Sequence, residues 1–228
     1  MALILSLETS VDTCSVALHQ NDDLLSTEMI LEPQAHATKL ALLIESVMKK
    51  GKYTFAELNA VAITSGPGSY TGLRIGTSTA KGLCFALNIP LLAVNTLELL
   101  IYQATFHNPD KALLCAMIDA RRMEVYSMLA DANGVMMQET ASEIIEAHSY
   151  QTILEKHKIL FFGNGAPKCK DLINHPNAYF LEDQIPNAAS LGQMAYKKLK
   201  HNQIEDLVHF EPFYLKEFLV KKSAKPLF

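Results

Sequence analysis

The chain repeats one pattern of elements after 111 residues, and this repeat constrains the fold more than any other feature. Residues 2–29 align on residues 113–140 without a gap, although few of the aligned residues are identical. In each copy an apolar strand ends at an acidic residue, Glu8 in the first and Asp119 in the second, and two further strands joined by a hairpin turn follow. Because both copies share this order, we predict two lobes of the same topology.

Helices and further strands follow this meander in both copies. The predicted helices cover residues 35–50, 73–87, 96–106, 142–156, 168–174 and 189–200, and the predicted later strands cover residues 58–64, 90–94 and 158–162. This order indicates an α/β protein with the two-lobed architecture of actin, hexokinase and the Hsp70 ATPase, with lobes at residues 1–106 and 107–228. In that architecture Glu8 and Asp119 would face a central cleft, where a nucleotide–metal site would use them.

A glycine-rich loop, Gly66-Pro67-Gly68, joins the predicted strand at residues 58–64 to the following helix. Such a turn can present backbone N–H groups to an anion, which makes Gly66 and Gly68 candidate phosphate contacts. The spacing matches neither GxxxxGK[ST] nor GxGxxG, and any strand-to-helix turn of an α/β protein favours glycine. We therefore rank phosphate binding second to a structural role.

The helix after this loop has one face of small side chains, with Gly72, Gly76, Ala80 and Cys84 at intervals of four residues. Glycine inside a helix costs about 1 kcal/mol relative to alanine, so the two glycines need an explanation. We expect another backbone to approach this face closely, either from the sheet of the same lobe or from the helix of a partner.

The composition indicates an ample core and gives no sign of nucleic-acid binding through bulk charge. Of the 228 residues, 49% are hydrophobic and 19% are charged, and the net charge is −4. The four cysteines form no CxxC pair, which argues against a disulfide framework or a zinc site. No apolar stretch approaches the ~20 residues of a membrane span, and the N-terminus lacks the basic segment of a signal peptide. We therefore expect a cytoplasmic protein with no membrane contact.

Five runs of residues resemble the TsaB family, which is also called YeaZ: LSLETS, SGPGSYTGLRIGTSTAKGL, NIPLLAVNTLELL, DARRMEVY and GNGA. The resemblance extends over about residues 3–215. It implies a non-catalytic subunit that binds and activates TsaD, the transferase that adds threonylcarbamoyl to the adenosine 3′ of the anticodon in tRNAs reading ANN codons. It also implies the ATPase TsaE as a third member and contact with tRNA through the complex.

Two other functions stay open at this stage. An ATP-dependent kinase of the same fold is opposed by the lack of a glycine beside Glu8 and Asp119, where backbone would have to approach a phosphate. A glycoprotease-like metallopeptidase is opposed by Leu40, because the catalytic relatives carry HxxxH where this chain has His36 followed four residues later by Leu40. We expect no catalytic residue, metal or cofactor in the chain itself, and leave ATP or ADP with magnesium as an alternative for the complex.

The first two helices form the expected partner surface. The first is apolar on more sides than one sheet can cover, and the second has the small-residue face. We therefore expect both to dock against the matching helix pair of TsaD, and against a second copy of this chain when TsaD is absent. The residues assigned to this interface are His36, Leu40, Leu43, Val47, Gly72, Gly76 and Ala80.

Overall fold

Two five-stranded sheets form the body of the protein, and the computed structural model describes residues 1–32 and 36–216. The strands of the first sheet are β1 (Leu3–Glu8), β2 (Thr13–Gln20), β3 (Asp23–Leu31), β4 (Ala60–Gly66) and β5 (Leu91–Asn95). The strands of the second are β6 (Leu113–Asp119), β7 (Glu124–Ala130), β8 (Met136–Ile144), β9 (Ile159–Phe162) and β10 (Ala178–Leu181).

The second sheet repeats the topology of the first. The strand orders are β3-β2-β1-β4-β5 and β8-β7-β6-β9-β10, so corresponding strands occupy corresponding places. In both sheets the first three strands are antiparallel and the last two join in parallel. Glu8 and Asp119 are the last residues of β1 and β6. The predicted duplication and the two-lobed α/β fold are therefore confirmed.

Helices cover both faces of the first sheet. The α-helices of the described residues are α1 (His36–Gly51), α2 (Tyr70–Leu87), α3 (Thr96–Thr105), α4 (Gln151–Leu154) and α5 (Ala188–Lys200). On one face, Leu5 and Leu7 of β1 lie in the same core cluster as the buried residues of α1 and α2. On the other face, Ile4 packs with Leu191 of α5. Because helices cover both faces of the sheet at β1, apolar side chains of this strand point to both faces.

The last helix of each repeat packs on the sheet of the other repeat. Leu97 and Leu100 of α3, which belongs to the first repeat, pack with Leu114 and Ile118 in the core of the second sheet. In return, α5 from the second repeat packs across β1, β2 and β5 of the first. Each half of the chain thus completes the core of the other. The boundary between residues 106 and 107 stays a prediction.

The predicted helix at residues 142–156 is wrong over most of its length. Strand β8 continues to Ile144, because Ser142 and Ile144 pair with Tyr126 and Glu124 of β7. Only a single turn, α4, is helical beyond it. The predicted helix at 168–174 is likewise reduced to a 3₁₀ turn at Pro167–Cys169, and the short strand β10 was not predicted. Pairing with β7 therefore keeps residues 142–144 in a strand, although the local sequence pattern favours a helix.

The C-terminal segment packs along the first lobe and then reaches the second. The backbone N–H of Glu205 donates to the carbonyl of Leu91 at 2.9 Å. Farther on, the N–H of Phe213 donates to the carbonyl of Ser65 at 2.7 Å. Lys216 then forms an ion pair with Glu124 of β7. The segment therefore ties the two sheets together; the basic pair Lys221-Lys222 lies outside the described residues.

Acid should weaken the packing of α5 on the first sheet. His19 of β2 is fully buried, and a side chain at Gly192 of α5 would clash with its ring. Burial lowers the pKa of His19, although the nearby charge of Asp22 opposes this effect. The unfolded chain therefore binds a proton below about pH 6.5 that the folded chain does not bind, and stability falls as the pH drops through this range.

We expect the free energy of unfolding to fall less in the His19→Gln variant than in the wild type when the pH is lowered from 7 to 5. Urea denaturation at several pH values measures this difference. An equal loss in both proteins would show that His19 does not couple α5 packing to pH.

Candidate functional site

Two neighbouring strand ends create the candidate cleft of the first lobe. The parallel strands β1 and β4 end at the same edge of the sheet, at Glu8 and Gly66. The turn Thr9-Ser10 follows β1, and the glycine loop and α2 follow β4. Ser69 caps α2, since its hydroxyl accepts a hydrogen bond from the N–H of Gly72 at 3.3 Å.

The turn after β1 fills the space beside the glycine loop. The N–H of Ser69 donates to the carbonyl of Ser10 at 2.7 Å. A side chain at Gly68 would lie less than 3.0 Å from Ser10, and side chains at Gly72 and Gly76 would lie equally close to Thr9. The small face of α2 therefore packs on the turn of its own lobe, which is the first of the two explanations offered from the sequence.

The C-terminal segment covers the other side of the same loop. Gly66 has a positive φ of 108°, and a side chain there would lie 2.9 Å from the carbonyl oxygen of Phe213. Together with the Thr9-Ser10 turn, this contact leaves Gly66 and Gly68 enclosed by backbone of the same chain. The geometry favours the structural role of the loop over phosphate binding, and the phosphate role stays a prediction.

Glu8, one of the predicted cleft residues, is turned into the protein. Its side chain is fully buried, and Oε1 accepts hydrogen bonds from the N–H of Ser10 at 2.7 Å and from the Ser10 hydroxyl at 2.5 Å. Burial raises the pKa of Glu8 above its usual value, while the Ser10 and Thr64 hydroxyls partly offset this effect. The carboxyl therefore stabilises the Thr9-Ser10 turn through its hydrogen bonds.

Asp119 occupies the equivalent strand end in the second lobe but has a different environment. It is exposed and forms an ion pair with Lys168, whose ammonium also donates to the carbonyls of Arg122 and Glu124 at 2.7 Å. Asp119 Oδ1 also accepts from the N–H of Arg121 at 2.9 Å. Its negative charge is therefore already compensated within the lobe.

The second glycine turn packs like the first. A side chain at Gly163 or Gly165 would clash with the backbone at the end of β6. The N–H of Asp119 donates to Oδ1 of Asn164 at 3.0 Å. In both lobes, therefore, the loop after the fourth strand lies against the end of the first strand.

His36 lies in the protein interior at the start of the first helix. It begins α1, is buried, and places Nε2 3.1 Å from the carbonyl oxygen of Thr13. Leu40, one turn later, lies in the hydrophobic core. Among the residues that the structure describes, no group of three or more His, Cys, Asp and Glu side chains could hold a metal ion.

The residues assigned to the partner interface lie inside the lobe, and this corrects the expected exposed patch. Leu40, Leu43, Val47 and Ala80 belong to the core cluster beneath α1 and α2. The buried residues Gly72, Gly76 and His36 contact the ends of β1 and β2. The first sheet covers a wider part of α1 than the sequence suggested, because α1 packs on both β2 and β3.

The outward faces of α1 and α2 carry a second set of small residues. Ser78, Gly82 and Ala86 recur at intervals of four on the exposed side of α2, and Ala37 and Ala41 are exposed on α1. Among the described residues, no atom other than those of the local helix backbone and the two neighbouring residues lies within 4 Å of the position that a side chain at Gly82 would occupy. Packing within the described part of the lobe therefore does not explain a glycine at position 82. Its cost to helix stability is nevertheless the same as that of Gly76.

Two large apolar side chains accompany this outer face. Phe85 of α2 is 82% exposed, and Leu42 of α1 is 58% exposed. The sequence contained the signal for the outer face in the spacing of Ser78, Gly82 and Ala86. The sequence alone cannot tell this outer face of α2 from the inner face, because the distinction depends on how α2 is rotated on the sheet.

Comparison with known proteins identifies the family to which the chain belongs. The family model described as "TsaD: tRNA N6-adenosine threonylcarbamoyltransferase" matches residues 31–224. The tRNA threonylcarbamoyladenosine biosynthesis protein TsaB of Escherichia coli (strain K12) is 26% identical over 226 residues, which are 96% of this chain and 97% of the relative. The TsaB of Bacillus subtilis (strain 168) is 30% identical over 173 residues, 75% of this chain and 74% of the relative. The chain belongs to the TsaB family.

Solved structures support the same family and its fold. A Pseudomonas aeruginosa protein described as similar to the peptidase YeaZ has a TM-score of 0.82 and 26% identity, covering 95% of this chain and 100% of that chain. The activator of 2-hydroxyisocaproyl-CoA dehydratase from Clostridium difficile, with bound ADPNP, has a TM-score of 0.50 at 10% identity, covering 89% and 96%. This second likeness shows only that the chain shares the fold of that protein.

The inner and outer glycines of α2 should respond oppositely to alanine. Gly76→Ala introduces a methyl group against Thr9, so we expect a loss of about 1–3 kcal/mol in the free energy of unfolding. Gly82→Ala, the matched control in the same helix, enters open space and should gain about 1 kcal/mol. Urea denaturation of both variants measures the difference. Equal effects would contradict the assignment of inner and outer faces.

Glu8→Gln should stabilise the fold increasingly as the pH rises. A glutamine retains an oxygen that accepts the two Ser10 hydrogen bonds. Because the folded pKa of Glu8 is raised, ionisation in the unfolded state above about pH 4.5 lowers the stability of the wild type, and glutamine avoids this loss. Chemical denaturation between pH 4 and pH 8 measures the effect. A variant that becomes relatively less stable with rising pH would show that ionised Glu8 is favoured.

Proposed function

We propose that this chain is a non-catalytic partner of a TsaD transferase and acts with it in tRNA threonylcarbamoyladenosine biosynthesis. The names of the TsaB relatives support this pathway. The observation that carries the partner role is Gly82, a mid-helix glycine facing open space between Ser78 and Ala86. A small residue there permits a second helix backbone to approach closely.

TsaD itself is the partner that suits this surface. The TsaD family model matches residues 31–224, a range that includes α1 and α2, and this match supports a corresponding helix pair in TsaD. Two similar helix pairs can dock about an approximate twofold axis and form a four-helix contact, as identical subunits do in a dimer. When TsaD is absent, the same surface would form a homodimer. TsaE and tRNA would join only in the larger complex, in the cytoplasm.

The environments of the cleft residues support a subunit without its own chemistry. Glu8 is buried against Ser10, and Asp119 is paired with Lys168. A kinase would need carboxylates free to hold a nucleotide-bound metal ion, so this alternative is less well supported. ATP or ADP with magnesium stays an alternative for the assembled complex.

Bulk or charge on the outer face should abolish binding to TsaD. We expect Gly82→Leu and Phe85→Glu each to weaken the affinity for the TsaD of the same organism at least tenfold, because a tight helix contact excludes a large side chain and an apolar contact excludes a carboxylate. Calorimetric titration measures the affinity, and circular dichroism confirms the fold. The matched control is Ile144→Glu, which places the same charge at an exposed apolar residue of β8.

Wild-type affinity in both Gly82→Leu and Phe85→Glu would place the partner surface elsewhere. The non-catalytic role has a separate readout in a reconstituted threonylcarbamoylation assay. Asp119→Asn should retain the activity of the assembled complex, and a loss of turnover with TsaD affinity unchanged would assign chemistry to this chain.

A further inference from the structure

A cavity of about 420 Å³ lies between the end of α3 and the start of α5. Its volume falls within the range of small-ligand sites, about 300–1,000 Å³. Its wall consists mainly of polar side chains, with a carboxylate and a large aromatic ring among them: Gln103, His107, Ser190, Gln193, Asp183 and Phe106. No lysine or arginine among the described residues lines it.

Hydrogen bonds between the surrounding elements hold the wall of this cavity in place. Nε2 of Gln103 in α3 donates to the carbonyl of Ile185, in the loop before α5, at 3.0 Å. The Tyr102 hydroxyl of α3 donates to Oε1 of Gln193 in α5 at 3.1 Å. Three segments that are tied to one another therefore build the wall, so a ligand can enter with little rearrangement of the protein.

Asp183 supplies the negative charge of the cavity wall. It is exposed, and its carboxylate forms no hydrogen bond or ion pair with the residues that the structure describes. The neighbouring Glu182, by contrast, is paired with Lys170 at 3.5 Å and does not line the cavity. Lys197 of α5 also lies outside the lining, with Nζ 5.0 Å from the centroid of the Tyr102 ring. The Asp183 carboxylate can therefore pair with a positively charged group of a ligand.

The helix ends beside the cavity do not reverse the sign of this charge. The C-terminal end of α3 carries a partial negative charge and the N-terminal end of α5 a partial positive one, so the two oppose each other. The N–H of Ala188, the first residue of α5, donates to Oγ of Ser15 at 2.9 Å. The N–H of Ser190 donates to Oδ1 of Asn187, also at 2.9 Å. An anion would therefore find few unengaged donors at this helix end, whereas a cation meets Asp183.

We propose that this cavity binds a small organic cation, namely a short alkyl chain that ends in a primary ammonium group. The ammonium group pairs with Asp183, and the face of the Phe106 ring, which is 68% exposed, attracts the same positive charge. Amide and hydroxyl oxygens of the wall accept the remaining N–H groups of the ammonium. The Asp183 carboxylate disfavours anionic ligands. The proposal does not depend on the partner role of α1 and α2.

Nuclear magnetic resonance titration of the full chain with three four-carbon probes, butylammonium, 1-butanol and butyrate, tests this assignment. We expect butylammonium to shift the amide signals of Phe106, Asp183 and Ser190 with a dissociation constant on the order of 1 mM, as befits so small a ligand. 1-Butanol should bind at least tenfold more weakly and butyrate should not bind, because only the ammonium forms a charge-assisted pair with Asp183. A pH of 8 is chosen because imidazole in water is neutral there, and His107 lines the cavity.

Two cavity variants and two matched controls separate the contributions to binding. Asp183→Asn should weaken butylammonium binding at least tenfold and leave 1-butanol binding unchanged, because only the charge is removed. Phe106→Leu should weaken butylammonium binding about threefold, since leucine keeps apolar surface but has no ring face. The controls Glu182→Gln and Lys197→Ser change charges beside the cavity without changing its lining. Neither control should weaken butylammonium binding.

Both substituted cavity residues, Asp183 and Phe106, are exposed, so we expect both variants to fold, and their amide spectra report this directly. The proposal is overturned if butylammonium causes no shift at concentrations far above its expected dissociation constant, or if it binds no more tightly than 1-butanol or butyrate. It is also overturned if folded Asp183→Asn binds butylammonium as tightly as the wild type.

Discussion

The close contact between the Thr9-Ser10 turn and the glycine face of α2 is the constraint on which the first lobe depends. Backbone of the turn occupies the positions that side chains would take at Gly68 and Gly72, and the Thr9 side chain does so at Gly76. This contact fixes how α2 is rotated on the sheet. Since residues two apart on a helix differ by about 200°, Ser78 and then Gly82 must point away from the lobe. The buried face therefore determines which face of α2 is exposed, and this exposed face is the one that we propose for a partner.

The same contact changes what the cleft can do. The fold is shared with a protein whose solved structure contains ADPNP, yet here the loop after β4 lies against its own lobe. Glu8 holds the turn, and Lys168 holds Asp119 in the second repeat. The duplicated architecture is kept, both acidic residues are engaged by groups of their own lobe, and the outer faces of α1 and α2 are exposed within the described part of the chain.

The sequence predicted the architecture well and the candidate site in part. The offset of 111 residues placed Glu8 and Asp119 at equivalent strand ends, because strand alternation and hairpin turns are local signals. The continuation of β8 to Ile144 was missed because it depends on pairing with β7. The residues that the sequence assigned to the interface lie on the buried sides of α1 and α2, and the sequence could not show this because apolar and small residues occur on two faces of each helix. Only the packing of α2 on Thr9 distinguishes these faces.

Amide hydrogen exchange of the chain, measured with and without TsaD, tests the central claim most directly. We expect slower exchange in peptides from residues 36–51 and 70–87 when TsaD binds, because a helix contact suppresses local opening. Peptides from β8 and from the end of α3 should exchange at unchanged rates. Protection confined to β8 or the C-terminal segment, with α1 and α2 unaffected, would contradict the account.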